Sequence, residues 1–148
     1  MSGLSPTVEQ RVRGSFGRQT IMTTIGAEIA AVREGEVEIV LPFSDMLSQQ
    51  HGFIHAGVVA TIVDSACGYA ALTMMPPEAA VLTTEFKLNL LSPAKGDRLR
   101  AVGRVVRPGR KLVVCLGEVF AEEGGQSKQV ALMTATMMVV DTGTGLQD

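Results

Sequence analysis

The stretch 49–75, QQHGFIHAGVVATIVDSACGYAALTMM, constrains this chain more than any other. Both histidines lie in it, and a long apolar segment interrupted by one acid, Asp64, follows them. Read at 3.6 residues per turn, 57–75 carries apolar or small residues on every side. That is the pattern of a helix buried all round rather than of an amphipathic surface helix. A carboxylate in such a helix is costly unless something pairs with it or uses it. The rest of the chain reads as wrapping for this helix.

The flanks supply strands for that wrapping. Ser5 and Pro6 make a helix start, with Ser as N-cap and Pro at the first helical position. A helix to Arg18 puts Val8, Val12 and Phe16 on one stripe. Strands are expected over 27–33 and 36–41, where Val37, Ile39 and Leu41 alternate with Glu36, Glu38 and Val40. After the helix, Pro76-Pro77 is a stop. Four strand-like runs follow, at 80–91, 98–107, 111–121 and 128–141. In the first, Leu82, Phe86, Leu88 and Leu90 are expected on one face, with Thr83, Glu85, Lys87 and Asn89 on the other. Consecutive strands with short connections and no βαβ alternation predict an antiparallel meander and an α+β fold, the sheet curling around the helix. One domain is expected over 1–148, with 1–19 a helical extension and 142–148 a frayed tail.

Composition sharpens this. Apolar residues make 46% of the chain before its 16 glycines are counted. An average domain reaches about 45–50% with glycine included. Burial in an oligomer interface, an apolar ligand channel, or both is implied. A net charge of −2 with no tryptophan and one tyrosine gives no footprint for nucleic acid. The two cysteines, Cys67 and Cys115, sit in apolar runs and read as buried free thiols. No set of residues has metal-ligand spacing, and no cofactor is implied. The N-terminus has no apolar signal region. The acid near the middle of 57–75 argues against membrane insertion, so a cytoplasmic protein is expected.

Several residues carry chemistry. A buried carboxyl has a raised pKa, which suits Asp64 to general-base work. His55 stands where loop becomes helix. The small Ala56 and Gly57 leave the first helical turn open to close approach, where free N–H groups and the dipole stabilise an oxyanion. Gln49 and Gln50 add amide donors. Structural readings compete at each of these positions: a paired acid, a capping histidine, loop amides. Arg107, Arg110 and Lys111 flank the Pro108-Gly109 turn, either as a solvated hairpin tip or as contacts for phosphates.

At this point a resemblance becomes specific. The run Gln49-x-x-Gly52-x-x-His55-Ala56-Gly57, then Asp64-Ser65-Ala66-x-Gly68, resembles the signature of the PaaI-type acyl-CoA thioesterases. The segment from Thr83-Thr84-Glu85-Phe86 to Ser92-Pro93-Ala94 resembles the strand that follows it in that family. The element order over 20–141 is similar to the family's hotdog fold, an antiparallel sheet wrapped around one long central helix. One departure is the His-Ala-Gly here in place of His-Gly-Gly. A backbone N–H donor survives it if Ala56 has negative φ.

The resemblance implies hydrolysis of a fatty or aryl acyl-CoA to free acid and CoA. The Ala56 N–H and Gln49 amide would polarise the thioester carbonyl. His55 would orient Gln49 or assist the leaving thiolate. Asp64 would act as general base or nucleophile, and Thr83 would position the water, with Thr84 as substitute if the strand bulges. Gly57, Thr84, Arg107, Arg110 and Lys111 would contact substrate. It also implies a homodimer, or a dimer of dimers, with active sites at the subunit interface. The alternative is a non-catalytic acyl-CoA binding or sensing protein on the same fold.

Overall fold

The computed structural model describes residues 3–141, 143 and 145–148. Two helices, α1 (Pro6–Arg18) and α2 (Thr20–Ile25), precede strands β1 (Glu28–Arg33) and β2 (Glu36–Pro42). A 3-10 turn (Asp45–Leu47) leads into α3 (Ala56–Leu72). Strands β3 (Ala80–Leu90), β4 (Arg98–Pro108), β5 (Leu112–Glu123) and β6 (Gln126–Val140) complete the chain. All six strands form one antiparallel sheet in the order β1-β2-β4-β5-β6-β3.

The meander expectation holds for β4-β5-β6 but not for β3. That strand pairs with β6, at the far edge from β2. The connection 91–97 is therefore a crossover rather than a hairpin turn. It is held by Leu91 N–H to Val130 O at 2.8 Å, Ile54 N–H to Ala94 O at 2.9 Å, and Phe43 N–H to Asp97 O at 2.9 Å. These bonds lay the crossover beside the loop that enters α3.

Helix and sheet touch at two glycines. Gly103 and Gly117 are cross-strand partners on β4 and β5. A Cβ on Gly103 would lie 2.3 Å from Ala66 C, and one on Gly117 would lie 2.5 Å from Val63 Cγ2. Their missing side chains let α3 settle directly onto the sheet. Around that contact pack Val37, Ile39, Leu99, Ala101, Cys115, Met133 and Met137, all buried. Each fully buried aliphatic side chain contributes about 1.5–3 kcal/mol. The free thiols of Cys67 and Cys115 belong to this core. Burial pushes Cys115 up to about 12, which leaves it unreactive.

α3 is not buried all round. Gly57, Ala60, Thr61, Asp64, Ser65 and Gly68 form a half-open stripe along it, on the side where the curled sheet ends at β3. That strand is bare: Leu82 is 47% exposed and Leu90 55%. The tail is not wholly free either. Asp148 accepts hydrogen bonds from Ser15 Oγ at 2.9 Å and from Val81 N–H at 2.6 Å. Residues 142 and 144 lie outside the described residues. No helix among the described residues is long and apolar enough to cross a membrane.

Candidate active site

The entry to α3 is built by a tight loop. Gln49 N–H donates to Phe53 O at 2.8 Å, and Gly52 N–H donates to Gln49 O at 3.0 Å. Gly52 has φ +83, a conformation that favours glycine. The Gln49 side-chain oxygen accepts from the backbone N–H groups of His51 and Phe53. With its oxygen so occupied, the Gln49 amide has its NH₂ left to donate.

His55 is the N-cap of α3, and its Nδ1 accepts from Gly57 N–H at 2.8 Å. An accepting Nδ1 puts the ring proton of the neutral imidazole on Nε2. His55 therefore spends one nitrogen on the helix and does not orient Gln49 through any described hydrogen bond. Two backbone N–H groups of the loop do that instead. Gly57 N–H is likewise consumed by the cap. Ala56, the first helical residue, has an N–H without an intrahelical acceptor, and no non-glycine residue among the described residues has positive φ. Its N–H and the Gln49 NH₂ are the donors at the positive end of the helix. A cavity of about 460 Å³ opens there, lined by Gln49, His55, Ala56, Val59 and the crossover residues Leu91 and Pro93.

Asp64 lies two and a half turns further on. Thr83 Oγ1 donates to its Oδ1 at 2.7 Å. Half-burial raises the Asp64 carboxyl above its ordinary value, and the Thr83 bond partly opposes the rise. The Thr83 contact exists because β3 bulges. The register runs Thr83↔Met137, then Glu85↔Thr136, skipping Thr84. The extra residue reverses the alternation. Thr83 thus shares the helix-facing side with Phe86, Leu88 and Leu90, and Leu82 turns outward, contrary to the simple period-two expectation. Thr84, at the bulge, donates to Thr136 O at 3.0 Å, so the hydroxyl bonded to Asp64 is that of Thr83.

Asp64 and the helix entry do not meet within one chain. Nine residues of helix separate His55 from Asp64, about 13 Å along the axis and roughly half a revolution around it. Asp64 opens instead on a separate cavity of about 210 Å³, shared with Gln19, Ser65, Gly68, Tyr69 and Thr83. Arg107, Arg110 and Lys111 are exposed at the β4–β5 hairpin. Pro108 pairs with Val113, Val113 with Met137, and Met137 with Thr83, so the hairpin is at the Asp64 end of the sheet. Among the methionines, Met137 packs under Thr83 at 3.3 Å, whereas Met138 faces outward. Sequence reasoning overlooked Gln19 and Tyr69. Gln19 sits in an unremarkable polar stretch, and only tertiary contact brings it to Asp64.

The family profile of the thioesterase superfamily matches residues 51–128, more than half of the chain. This chain belongs to the thioesterase superfamily. A thioesterase family protein from Silicibacter pomeroyi is 49% identical, its crystal structure matching over 90% of this chain and 98% of its own with a TM-score of 0.89. PaaI, from the phenylacetic acid degradation operon of E. coli, shares the fold at 22% identity, over 93% of this chain and 96% of its own, with a TM-score of 0.83. A 1,4-dihydroxy-2-naphthoyl-CoA hydrolase from Listeria monocytogenes is 24% identical over 94 residues, 64% of this chain and 76% of that protein. The wrapped helix and six-stranded antiparallel sheet are thus the hotdog fold of a hydrolase superfamily.

Proposed function

We propose that the protein is an acyl-CoA thioesterase whose active site is shared by two subunits. The observation that carries this reading is one helix with an open, donor-bearing N-terminus and a half-buried acid about 13 Å further along, on the opposite side. A single chain keeps them apart, and a second copy against β3 supplies the acid to the first copy's helix entry. The bare apolar edge of β3 supports such an arrangement, since an unpaired edge strand of this length invites pairing. A monomer with full turnover in sedimentation-matched assays would sink the shared site.

In this reading the thioester oxygen accepts from Ala56 N–H and the Gln49 NH₂, aided by the helix dipole. Donors aimed at a developing oxyanion are among the largest catalytic terms. Thr83 holds Asp64 Oδ1, leaving Oδ2 to take a proton from water or to attack the carbonyl carbon itself. Direct attack gives an acyl–Asp64 anhydride that a water then hydrolyses, and a single turnover in ¹⁸O-water reveals that route as label in the Asp64 carboxyl when water opens the anhydride at Asp64 Cγ. Collapse of the tetrahedral intermediate expels CoA as thiolate. A thiol of ordinary pKa near 8.5 leaves with little acid assistance, and His55 Nε2–H is the donor at hand. Arg107, Arg110 and Lys111 take the phosphates of CoA. The substrate also implies a cytoplasmic enzyme.

Release of free thiol from a panel of acyl-CoAs tests this directly. CoA-ester binding with no turnover across the panel would overturn it in favour of a binding protein. A sharper test is Ala56→Pro. Proline is tolerated at the first helical position, and His55 at φ −59, ψ 138 already has the conformation required before proline. The change deletes one N–H and little else. The expected loss is about 10²–10³-fold in kcat, with the melting temperature held. Mixing the Ala56→Pro and Asp64→Asn proteins through unfolding and refolding should recover activity that neither has alone.

A further inference from the structure

Two cross-links join α3 to β3, and thioester hydrolysis as described uses only one of them. The first is the bond from Thr83 Oγ1 to Asp64 Oδ1 at 2.7 Å. The second starts five residues further along the helix, at Tyr69. Burial raises the Tyr69 hydroxyl above its ordinary value and keeps its proton in place. That hydroxyl accepts from Gln19 Nε2–H at 2.7 Å and lies 3.2 Å from Ser15 Oγ. Ser15 gives its own proton to Asp148 Oδ1 at 2.9 Å, so Tyr69 donates to Ser15. Asp148 Oδ2 accepts in turn from Val81 N–H at 2.6 Å. The chain Tyr69, Ser15, Asp148, Val81 thus carries α3 across α1 to the start of β3. Every donor in it points toward the carboxylate, an arrangement in which each bond strengthens the next.

The two cross-links close a ring. Tyr69 is about 7.5 Å beyond Asp64 along the helix, and Val81 is about 7 Å before Thr83 along the strand. The ring encloses the part of β3 that has least support of its own. β3 is an edge strand, paired with β6 on one side alone. The bulge at Thr84 interrupts that pairing directly after Thr83. Within one chain no strand meets Val81 N–H on the free edge, and Asp148 supplies its acceptor. The carboxylate spends one oxygen on α1 and the other on β3, and hydrogen bonds to an ionised acceptor are the stronger kind. Arg11, one turn before Ser15 on α1, holds the carbonyl of Ala79 just ahead of the strand.

Building on the thioesterase reading, we infer that Asp148 is a positioning residue for Asp64 that acts through Thr83: it fixes the distance between α3 and the start of β3 at which the Thr83 hydroxyl reaches the acid. Without it the start of β3 is free to drift from the helix, and a misplacement of about 1 Å can cost on the order of 10²-fold in rate. The Thr83 bond also opposes the rise that burial imposes on the Asp64 carboxyl. Of the other ionisable groups, Tyr69 and Asp148 share the cavity with Asp64, Cys67 follows it one turn on along α3, and Arg11 lies beside Asp148. Losing the Thr83 bond moves the Asp64 carboxyl further up. Losing the Asp148 charge by itself would move it down, because a nearby like charge raises a carboxyl. The sign of the shift therefore separates positioning from a direct charge effect.

The test is the pH dependence of kcat and KM for acyl-CoA hydrolysis by Asp148→Ala, Thr83→Val and the double variant, with melting temperatures alongside. Asp148→Ala is expected to lower kcat by about tenfold or more, to change KM less, and to move the kcat/KM profile to higher pH. In the Thr83→Val background the same change should cost little further, since residues that act through one contact are not additive. Ser15→Ala breaks the chain at another link and should shift kcat and the pH profile in the same directions. It carries the test if Asp148→Ala does not fold. Additive losses in the double variant, a lower melting temperature with kcat unchanged, or a profile moved to lower pH would overturn the inference and leave the thioesterase reading intact. No turnover of any CoA ester by the wild-type protein would overturn both.

Discussion

Asp64→Asn should lower kcat for acyl-CoA hydrolysis by about 10²–10⁴-fold, the usual contribution of a positioned general base, while raising the melting temperature at neutral pH. The two effects share one cause. Burial lifts the Asp64 carboxyl above its ordinary value, so the native state holds the proton more tightly than the unfolded chain does. A raised pKa contributes stability in full below the unfolded value, and that stability is lost as pH rises through the native value. At neutral pH the native protein bears an ionised, half-buried acid. Asparagine has the same shape and still accepts the Thr83 hydrogen bond, but carries no charge to desolvate. Wild-type kcat/KM should correspondingly rise with pH through the elevated Asp64 pKa. The checks are thioester kinetics against pH and thermal melts at pH 4 and pH 7. The stabilisation should shrink at the lower pH. A fully active Asp64→Asn protein, or one that melts earlier at pH 7, would contradict the role given to this acid.

Gly103→Ala should be the more damaging change to the fold. Its Cβ would stand 2.3–2.4 Å from Ala66 C, Ala66 O and Cys67 N, which are backbone atoms of α3. Backbone has no rotamer to yield, so the helix must lift off the sheet. Overpacking of this kind costs about 3 kcal/mol or more, a fall in melting temperature on the order of 10 °C for a chain of this length. Activity should fall as well, because lifting α3 moves Asp64 away from Thr83. Gly117→Ala should cost less, since its Cβ meets the side chains of Val63 and Cys67, which can shift. Gly17→Ala, in α1 with open space around it, is the control and should hold or raise the melting temperature. An order other than Gly103 worst and Gly17 mildest would show that the helix does not rest on this glycine pair.

Much of the fold was legible because it is local. Alternation marked β2, β4 and β5, the proline pair marked the end of α3, and small residues after His55 marked the open helix entry. The misreadings also have physical causes. Period-two reading of β3 failed at Thr84 because one bulged residue reverses every later side chain, and nothing in the local pattern announces a bulge. The hairpin expected after β3 failed because strand pairing is decided by which edge is free once α3 lies on the sheet. The 91–97 crossover is anchored to Val130 and Ile54, far from it in sequence.

The candidate site divides the same way. Asp64, Gln49, His55 and Ala56 stood out because a lone acid in an apolar helix and donors at its entry are unusual residue types in their places. At His55 the sequence left capping and catalytic readings open, and only the structure shows the ring bonded to Gly57 N–H. Gln19 was invisible, for its partner Tyr69 is 50 residues away and a glutamine at a junction between two helices has no signature. By itself, the sequence determined the elements, the apolar helix with its single acid, and the family. Only the tertiary structure decided that Thr83 faces the acid, that Gly103 and Gly117 let the helix sit against the sheet, and that a polar cavity opens beside Asp64. Those features arise from contacts between distant segments, whose geometry is set by packing and not by any residue's own propensity.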